Sequence, residues 1–235
     1  MTEFVWSWVV VPVGLVGTAF YATLVAFLGR HDPGSLRVES TLRSWSRMWF
    51  RLTKLDLEVE GGEDLDPKTS YVVVSNHLSN YDIMICFLAV PVPIRFLAKK
   101  ELFDYPFLSQ AMRAIGCVEV DRAARAQAVE TINRQAELVR SRNHSLLIYA
   151  EGTRSRDGEL KPFKKGAFAI ASGSGMPIVP IGIIGSRDVV PPGTIKIKRH
   201  QKVTVRIGKP IGDIRDRPIT ELRDETHAAV EALIS

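Results

Sequence analysis

The chain has 235 residues, 46% of them apolar and 24% charged, which excludes a disordered chain, a collagen and a coiled coil. Its two cysteines, Cys86 and Cys117, are too few for a disulfide framework and favour a reducing compartment. The net charge of +5 is concentrated: residues 30–54 hold six Lys or Arg against two acids, a local charge of +4.

The N-terminal segment, residues 4–29, is a run of 26 residues without a formal charge. As a helix it would be about 39 Å long, against a hydrocarbon core of about 30 Å. A cleaved signal peptide fits poorly, because no Lys or Arg precedes the run. The basic residues follow it, so the positive-inside rule predicts that the rest of the chain is cytoplasmic. Pro12, Gly14 and Gly17 favour a kinked or shallow helix, so spanning and embedding in the membrane both remain open.

The following segment is typical of an amphipathic helix, with apolar residues at steps of three and four: Val38, Leu42, Trp45, Trp49 and Leu52. Arg43, Arg47 and Arg51 repeat on a different face. Trp and Arg side chains suit the lipid headgroup layer, which favours an interfacial helix. The alternative is a helix packed on the soluble domain with solvated arginines. Either way, we predict a membrane-anchoring two-helix segment at residues 1–55 and a catalytic domain at residues 56–235.

Within the second part, short apolar runs alternate with helical stretches. A strand precedes Gly61, and further strands are predicted at 71–75, 94–98, 117–120, 145–150, 177–184 and 203–208. Helices are predicted at 82–90, 106–115, 124–141, 166–173 and 218–234. This alternation predicts a single α/β domain whose central sheet is mostly parallel and flanked by helices. Because sites in such folds gather at the carboxyl ends of the strands, the residues directly after the strands are the candidates.

The first buried strand is followed by a histidine and an aspartate five residues apart, His77 and Asp82. On a regular helix these residues would not share a face, so they meet only if the chain turns and Asp82 begins the next helix. A carboxylate on the imidazole would fix its tautomer and stabilise the imidazolium, which makes a general base. The alternative is a capping box starting at Ser79, in which Asp82 only satisfies backbone N–H groups.

Two other strands end in charged residues. Glu151, Gly152, Thr153 and Arg154 follow the 145–150 strand, where a glycine lets backbone approach a ligand and a guanidinium can hold a phosphate. The alternative is a charged exposed turn. The 117–120 strand ends in Asp121 and Arg122, which could equally form a surface salt bridge.

These blocks, in this order, resemble those of the glycerolipid acyltransferase family, especially bacterial 1-acylglycerol-3-phosphate acyltransferases. The first, N-H-x4-D, is carried by Asn76, His77 and Asp82, and the second by residues 120–122. The third is residues 151–155, and the fourth runs from Pro177 to Pro180. Tyr149-Ala150 stands where the family usually has Phe-Pro, a departure that leaves the acceptor preference open.

The resemblance implies that His77 deprotonates the hydroxyl of a lysophospholipid, that Asp82 supports the imidazole, and that the alkoxide attacks an acyl thioester. Residues expected to hold the glycerol phosphate are Arg122, Glu151, Gly152, Thr153 and Arg154, with Lys99 and Lys100 as further candidates. Asn76, Pro177 and Pro180 would support the site, the prolines as a wall. The co-substrate would be acyl-CoA or acyl carrier protein, with no cofactor and no metal.

The expected reaction is sn-2 acylation of 1-acylglycerol-3-phosphate to phosphatidic acid at the cytoplasmic face of the cell membrane. One alternative is the same chemistry on another acceptor, such as an amino-lipid, a glycolipid or glycerol-3-phosphate. Another is a non-catalytic membrane protein that binds lipid. Nucleic-acid binding is not expected, because the basic cluster adjoins the apolar segment rather than forming an independent face.

Overall fold

A computed structural model of the chain describes residues 2–120, 134–191, 194 and 196–235, with the backbone alone for residues 2–5. The helices are α1 (Thr2–Gly29), α2 (Leu36–Thr53), α3 (Asp82–Ala89), α4 (Leu108–Ile115), α5 (residues 134–141), α6 (Gly166–Ser174), α7 (Ser186–Val189) and α8 (Ile219–Ile234). The strands are β1 (Asp56–Gly61), β2 (Val72–Ser75), β3 (Ile94–Lys99), β4 (Val118–Val120), β5 (Ser145–Tyr149), β6 (Ile178–Ile184) and β7 (Lys202–Ile207).

The seven strands form one sheet in the order β1-β7-β6-β2-β5-β3-β4. Every neighbouring pair is parallel except β6 and β7, which run antiparallel. The α/β class and the mostly parallel sheet are therefore confirmed. The 3₁₀ turn Lys100–Asp104 and the short α7 were not predicted, and the first part of the helix expected at 124–141 lies outside the described residues.

Helices cover both faces of the sheet, and β2 shows how the strand residues divide between them. Val73 belongs to a core that includes residues of α1 to α4, whereas Val72 and Val74 belong to a core with α5, α6 and α8. Successive strand residues point to opposite faces, so a strand buried on both sides must be apolar at every position. This explains why the Tyr71–Val74 run has no alternation of polar and apolar residues.

The apolar stripe of α2 packs inside the protein, so its interpretation as a membrane-facing stripe was wrong. Val38, Leu42 and Trp49 are at most 8% exposed and belong to the core with α1 and α3. Arg47 and Arg51 are exposed, as the packed-helix alternative predicted. Arg43 differs, because its guanidinium donates to the carbonyls of Leu88 and Val90 at the end of α3.

The helix α1 is continuous through Pro12, and its glycines serve close packing rather than a break. A Cβ on Gly14 would lie 2.1 Å from the Trp49 ring, and one on Gly17 would lie 2.3 Å from the Met48 sulfur. These contacts fix α1 against α2. Its segment Trp6–Gly29 is long and apolar enough to cross a membrane.

The opposite face of α1 is apolar and exposed, which is unusual for a helix in water. Large apolar side chains at least half exposed on it are Trp8, Val9, Val13, Leu15, Val16, Phe20 and Phe27. The helix therefore has one protein-facing side and one side whose chemistry matches lipid.

Candidate active site

The predicted site residues gather where parallel strands end. His77 follows β2, the loop beginning at Glu151 follows β5, and Lys99 ends β3. These three strands are neighbours in the sheet and run in the same direction. Their carboxyl ends therefore meet at one edge, as the strand positions in the sequence predicted.

His77 and Asp82 are in contact, because the chain turns after β2 and Asp82 is the first residue of α3. The distance from His77 Nδ1 to Asp82 Oδ2 is 2.7 Å. The Asp82 side chain is fully buried and that of His77 is 17% exposed. Within the described part of the chain, the other ring nitrogen, Nε2, has no hydrogen-bond partner, so it is left to meet a substrate.

The carboxylate of Asp82 fulfils both functions that the sequence offered as alternatives. Its Oδ2 also accepts hydrogen bonds from the backbone N–H groups of Leu78 (2.7 Å) and Ser79 (2.8 Å). These bonds stabilise a buried charge and hold the carboxylate against the imidazole. The turn is further fixed by the Ser79 hydroxyl, which accepts from the Tyr81 N–H. The capping arrangement is thus the device that positions the histidine's partner.

The backbone of His77 is held from the other side by the loop after β5. Its N–H donates to Glu151 Oε1 at 2.7 Å, and its carbonyl accepts from the Ser155 N–H at 2.8 Å. The second oxygen of Glu151 accepts from the Lys161 N–H at 3.2 Å. Glu151 is 4% exposed, and burial raises the pKa of its carboxyl group. Both of its oxygens are engaged by backbone, which suits positioning of His77.

Tyr149 contacts the site, although the sequence indicated it only as a departure from the family's Phe-Pro pair. Its ring stacks on the imidazole of His77, with centroids 4.0 Å apart and planes at 10°. Its hydroxyl lies 3.8 Å from the Cys86 sulfur. An aromatic residue ending a strand beside the site was the available signal. Ala150 belongs to the core on the other face of the sheet, away from His77.

Gly152 lies in a cationic part of this loop. Its φ of 76° favours glycine, and a Cβ there would lie 2.7 Å from Lys164 Nζ. Arg154 is half-buried and Thr153 is exposed, and neither side chain has a hydrogen-bond partner among the residues that the structure describes. A guanidinium and an ammonium flanking an open backbone loop can bind a phosphate.

The comparison with family models gives a match to the acyltransferase family over residues 56–184. The chain belongs to this family. The matched range contains every block that carried the resemblance, from the His77 loop to Pro180.

Relatives named 1-acyl-sn-glycerol-3-phosphate acyltransferase occur in plants, yeast and bacteria. A chloroplast protein of Brassica napus is 39% identical over 66% of this chain and 44% of its own length. The Saccharomyces cerevisiae protein is 34% identical over 86% of this chain and 67% of its own length. The Salmonella typhimurium protein is 32% identical over 75% of this chain and 74% of its own length. The chain thus spans under half the length of the plant relative.

The fold is that of a solved member of the family. The crystal structure of the 1-acyl-sn-glycerophosphate acyltransferase PlsC of Thermotoga maritima matches with a TM-score of 0.84 and 26% identity. The match covers 98% of this chain and 94% of the Thermotoga chain, so it includes the two N-terminal helices.

The remaining predicted residues lie in different places in the structure. Lys99 and Lys100 are exposed at the site edge, and Lys99 Nζ lies 2.8 Å from a Glu101 carboxylate oxygen. Arg122, with its neighbour Asp121, lies outside the described residues. The predicted roles of these residues in phosphate binding stay predictions.

Asn76 acts within the sheet. Its side-chain amide donates to the Ile183 carbonyl at 2.9 Å and accepts from the Ile183 N–H at 2.8 Å. This pair of bonds fastens the end of β2 to β6 just before His77. The Asn76 amide is thus occupied by backbone, and its role in supporting the site stays a prediction.

The prolines do not form a wall of the site, and this expectation was wrong for both. Pro180 lies inside β6, in register with Val74, and its carbonyl accepts from the Gly208 N–H. Pro177 precedes β6 at the amino end of the sheet, where its carbonyl accepts from the Val72 N–H. The parallel register of β2 and β6 puts Pro177 at the edge opposite to His77.

Among the described residues, no group of three or more His, Cys, Asp or Glu side chains could hold a metal ion. The chemistry available from the described site is proton transfer at His77 and anion binding at the loop after β5.

Proposed function

We propose that the chain transfers a fatty acyl group from acyl-CoA or acyl carrier protein to the sn-2 hydroxyl of 1-acylglycerol-3-phosphate, forming phosphatidic acid. The observation that carries the proposal is the 2.7 Å contact between His77 and Asp82, which leaves Nε2 open at the site edge. The names and similarity of the relatives supply the substrate class.

In the proposed reaction His77 Nε2 accepts the proton of the acceptor hydroxyl as its oxygen attacks the thioester carbonyl. The tetrahedral intermediate then collapses, the carbon–sulfur bond breaks, and the imidazolium returns the proton to the leaving thiolate. Asp82 stays ionised, holds the proton on Nδ1 and stabilises the imidazolium. No acyl-enzyme is needed, since the acceptor is itself the nucleophile.

Three further contacts prepare His77 for this task. The stacked ring of Tyr149 fixes the plane of the imidazole and presents an electron-rich face to the imidazolium. The bonds from Glu151 and Ser155 fix the backbone to which the ring is attached. A base that is already oriented avoids the entropic cost of ordering during the reaction.

The acceptor phosphate would bind at the loop after β5. Arg154 and Lys164 supply positive charge there, and Gly152 lets the phosphate approach the backbone. Arg122, from the second family block, is proposed to bind the same phosphate, with Lys99 and Lys100 as further candidates. Glu151 is the exception among the predicted acceptor-binding residues, because its oxygens are bonded to His77 and Lys161.

The proposed location is the cytoplasmic face of the membrane, with α1 lying in one leaflet. The Ser7 hydroxyl accepts from the Ile197 N–H at 3.0 Å, while Gly29 packs on the carbonyl of Ala114. These contacts are about 33 Å apart along the helix, comparable to a hydrocarbon core of about 30 Å. A transbilayer α1 would draw the domain's polar loops across the membrane with it. Depth-dependent quenching of a fluorophore at Val16→Cys tests this: a signal from the bilayer midplane of a crossing helix would contradict it.

The deciding experiment is acyl transfer from labelled palmitoyl-CoA to 1-acylglycerol-3-phosphate in micelles. We expect His77→Ala to lower the rate at least about 100-fold, because it removes the general base. His31→Ala, at an exposed histidine in the α1–α2 connection, is the matched control. Equal rates in wild type and His77→Ala would overturn the mechanism. A wild-type protein that leaves 1-acylglycerol-3-phosphate unreacted but acylates glycerol-3-phosphate or an amino-lipid would overturn the acceptor assignment.

A further inference from the structure

One basic segment is not used by the proposed reaction. Residues 196–202, which lie between α7 and the start of β7, read KIKRHQK and carry four Lys or Arg and no acidic residue. We call them the basic segment. They are more than 100 residues from the N-terminal helices along the chain, yet they lie against them.

The basic segment is fastened to the first turns of α1. The backbone N–H of Ile197 donates to the Ser7 hydroxyl, and the Ile197 side chain is 4% exposed. The guanidinium of Arg199 lies over the Trp6 ring, 4.6 Å from its centroid. Next along the chain, the His200 N–H donates to the Thr53 carbonyl at the end of α2. The segment therefore lies where α1 begins and α2 ends.

Its two free lysines point away from this attachment. Lys196 and Lys198 flank the buried Ile197, and their exposure shows that both side chains lie on the solvent side of the segment. Both are exposed, as is Lys54 directly after α2. In the described part of the chain none of these three ammonium groups forms an ion pair, whereas Lys202 is paired with Glu58 at 2.9 Å.

The lipid-facing side of α1 starts at the same place. Trp8 and Val9 are 62% and 53% exposed, one and two residues after the Ser7 that holds the basic segment. Ammonium groups beside a helix embedded in one leaflet lie at the depth of lipid phosphates, where long basic side chains are favourable.

We propose that the basic segment is a headgroup-binding surface for anionic phospholipids, with Lys196 and Lys198 contacting their phosphates and Lys54 adding to the same patch. The proposal rests on the proposed placement of α1 in the membrane. It gives the protein a preference for anionic over neutral bilayers that α1 alone, being uncharged from residue 4 to 29, does not supply.

The test is a competition for the full chain. The protein is offered equal amounts of phosphatidylcholine vesicles and of vesicles that also contain phosphatidylglycerol, separated afterwards by density. Wild type should favour the anionic vesicles, and added salt should weaken this preference. In Lys196→Gln/Lys198→Gln the preference should fall by about 25-fold, at about fivefold for each lysine. Lys196→Arg/Lys198→Arg should keep it.

The matched control is Lys68→Gln/Lys209→Gln, which removes the same charge from exposed sites elsewhere. An equal fall in this control, or an unchanged preference in Lys196→Gln/Lys198→Gln, would overturn the proposal. Protein on neither kind of vesicle would overturn the placement of α1 and this proposal with it. Acyl transfer in neutral micelles measures the enzymatic proposal separately, and it should stay within about twofold in all these variants, since none changes a site residue.

Discussion

Two clusters of buried charged and polar groups lie at opposite ends of the sheet, and they differ in what they leave unsatisfied. At the carboxyl end, His77 is bonded to Asp82 through one ring nitrogen and keeps the other open. At the amino end, Arg95 in β3 is 0% exposed and uses all three guanidinium nitrogens.

Arg95 has five partners among the described residues. They are the carbonyls of Pro33, Ile94 and Ile115, a Glu39 carboxylate oxygen at 2.6 Å and His144 Nε2 at 3.1 Å. Arg95 thereby ties the α1–α2 connection and α2 to the sheet and α4. A saturated cluster has no capacity for a ligand, so its role is structural, whereas the open nitrogen of His77 is available for chemistry. Burial of charge alone would not have separated the two.

Among variants that test the difference between the two clusters, we expect Asp82→Asn to change the acyl-transfer rate most. Asparagine can still accept backbone hydrogen bonds, but its amide cannot stabilise an imidazolium and favours the wrong tautomer of His77. We expect the rate to fall by about 10³-fold to 10⁴-fold while the protein stays folded. Steady-state acyl transfer and circular dichroism measure this. A variant that unfolded would place Asp82 with the structural cluster instead.

Arg95→Met should have the opposite profile. It leaves the Glu39 carboxylate without its cation in a largely buried position, at a cost of about 3–5 kcal/mol in the free energy of unfolding. Activity per folded molecule should change little. Lys202→Met, which breaks the exposed pair with Glu58, should destabilise the protein far less, because an exposed ion pair contributes little to stability. Denaturant unfolding in micelles compares them, and similar losses in both variants would contradict the saturated-cluster interpretation.

His144 makes the structural cluster sensitive to acid. Burial, reinforced by Arg95, lowers the pKa of His144 to about 3 from 6.5. Because the pKa of His144 is lower in the folded protein than in the unfolded chain, the unfolded chain takes up the proton first as the pH falls. The free energy of unfolding is therefore highest above about pH 6.5 and decreases as the pH falls toward 3. Between pH 7 and pH 5 wild type should lose about 2 kcal/mol more than His144→Gln, whose amide oxygen can accept from Arg95 without titrating. Parallel pH dependence of unfolding in the two proteins would show that His144 does not titrate this way.

The smallest change in rate is expected for a variant of Glu151, which tests whether this residue positions His77 or binds the acceptor. In Glu151→Gln the side chain keeps one oxygen, whereas Glu151 accepts from the N–H groups of both His77 and Lys161. One of these N–H groups therefore loses its partner, which lowers the free energy of unfolding by about 1–3 kcal/mol. If Glu151 positions His77, kcat falls by about tenfold, and KM for the acceptor is unchanged. A raised KM with constant kcat would restore the predicted acceptor-binding role. Glu159→Gln, at an exposed residue of the same loop, is the control.

The predictability of the site depended on the kind of contact involved. The turn that joins His77 to Asp82 is local, and its polar residues directly follow an apolar strand, so their contact could be predicted. The bonds from Glu151 and Ser155 to the His77 backbone join positions more than 70 residues apart, and no local pattern indicates which loop will lie beside another. Arg95 was missed for the same reason, since one arginine at the start of an apolar strand has no periodic signal.

The sequence by itself determined the α/β class, the succession of strands and helices along the chain, and the blocks that identify the family, because these depend on local periodicity and spacing. Tertiary structure decided the order of the strands within the sheet, the inward packing of the α2 stripe, the distance of the prolines from the site, and the contact of the basic segment with α1. An amphipathic pattern predicts that one face of a helix is buried away from water. Whether protein or lipid covers that face depends on which surfaces the rest of the fold places beside it.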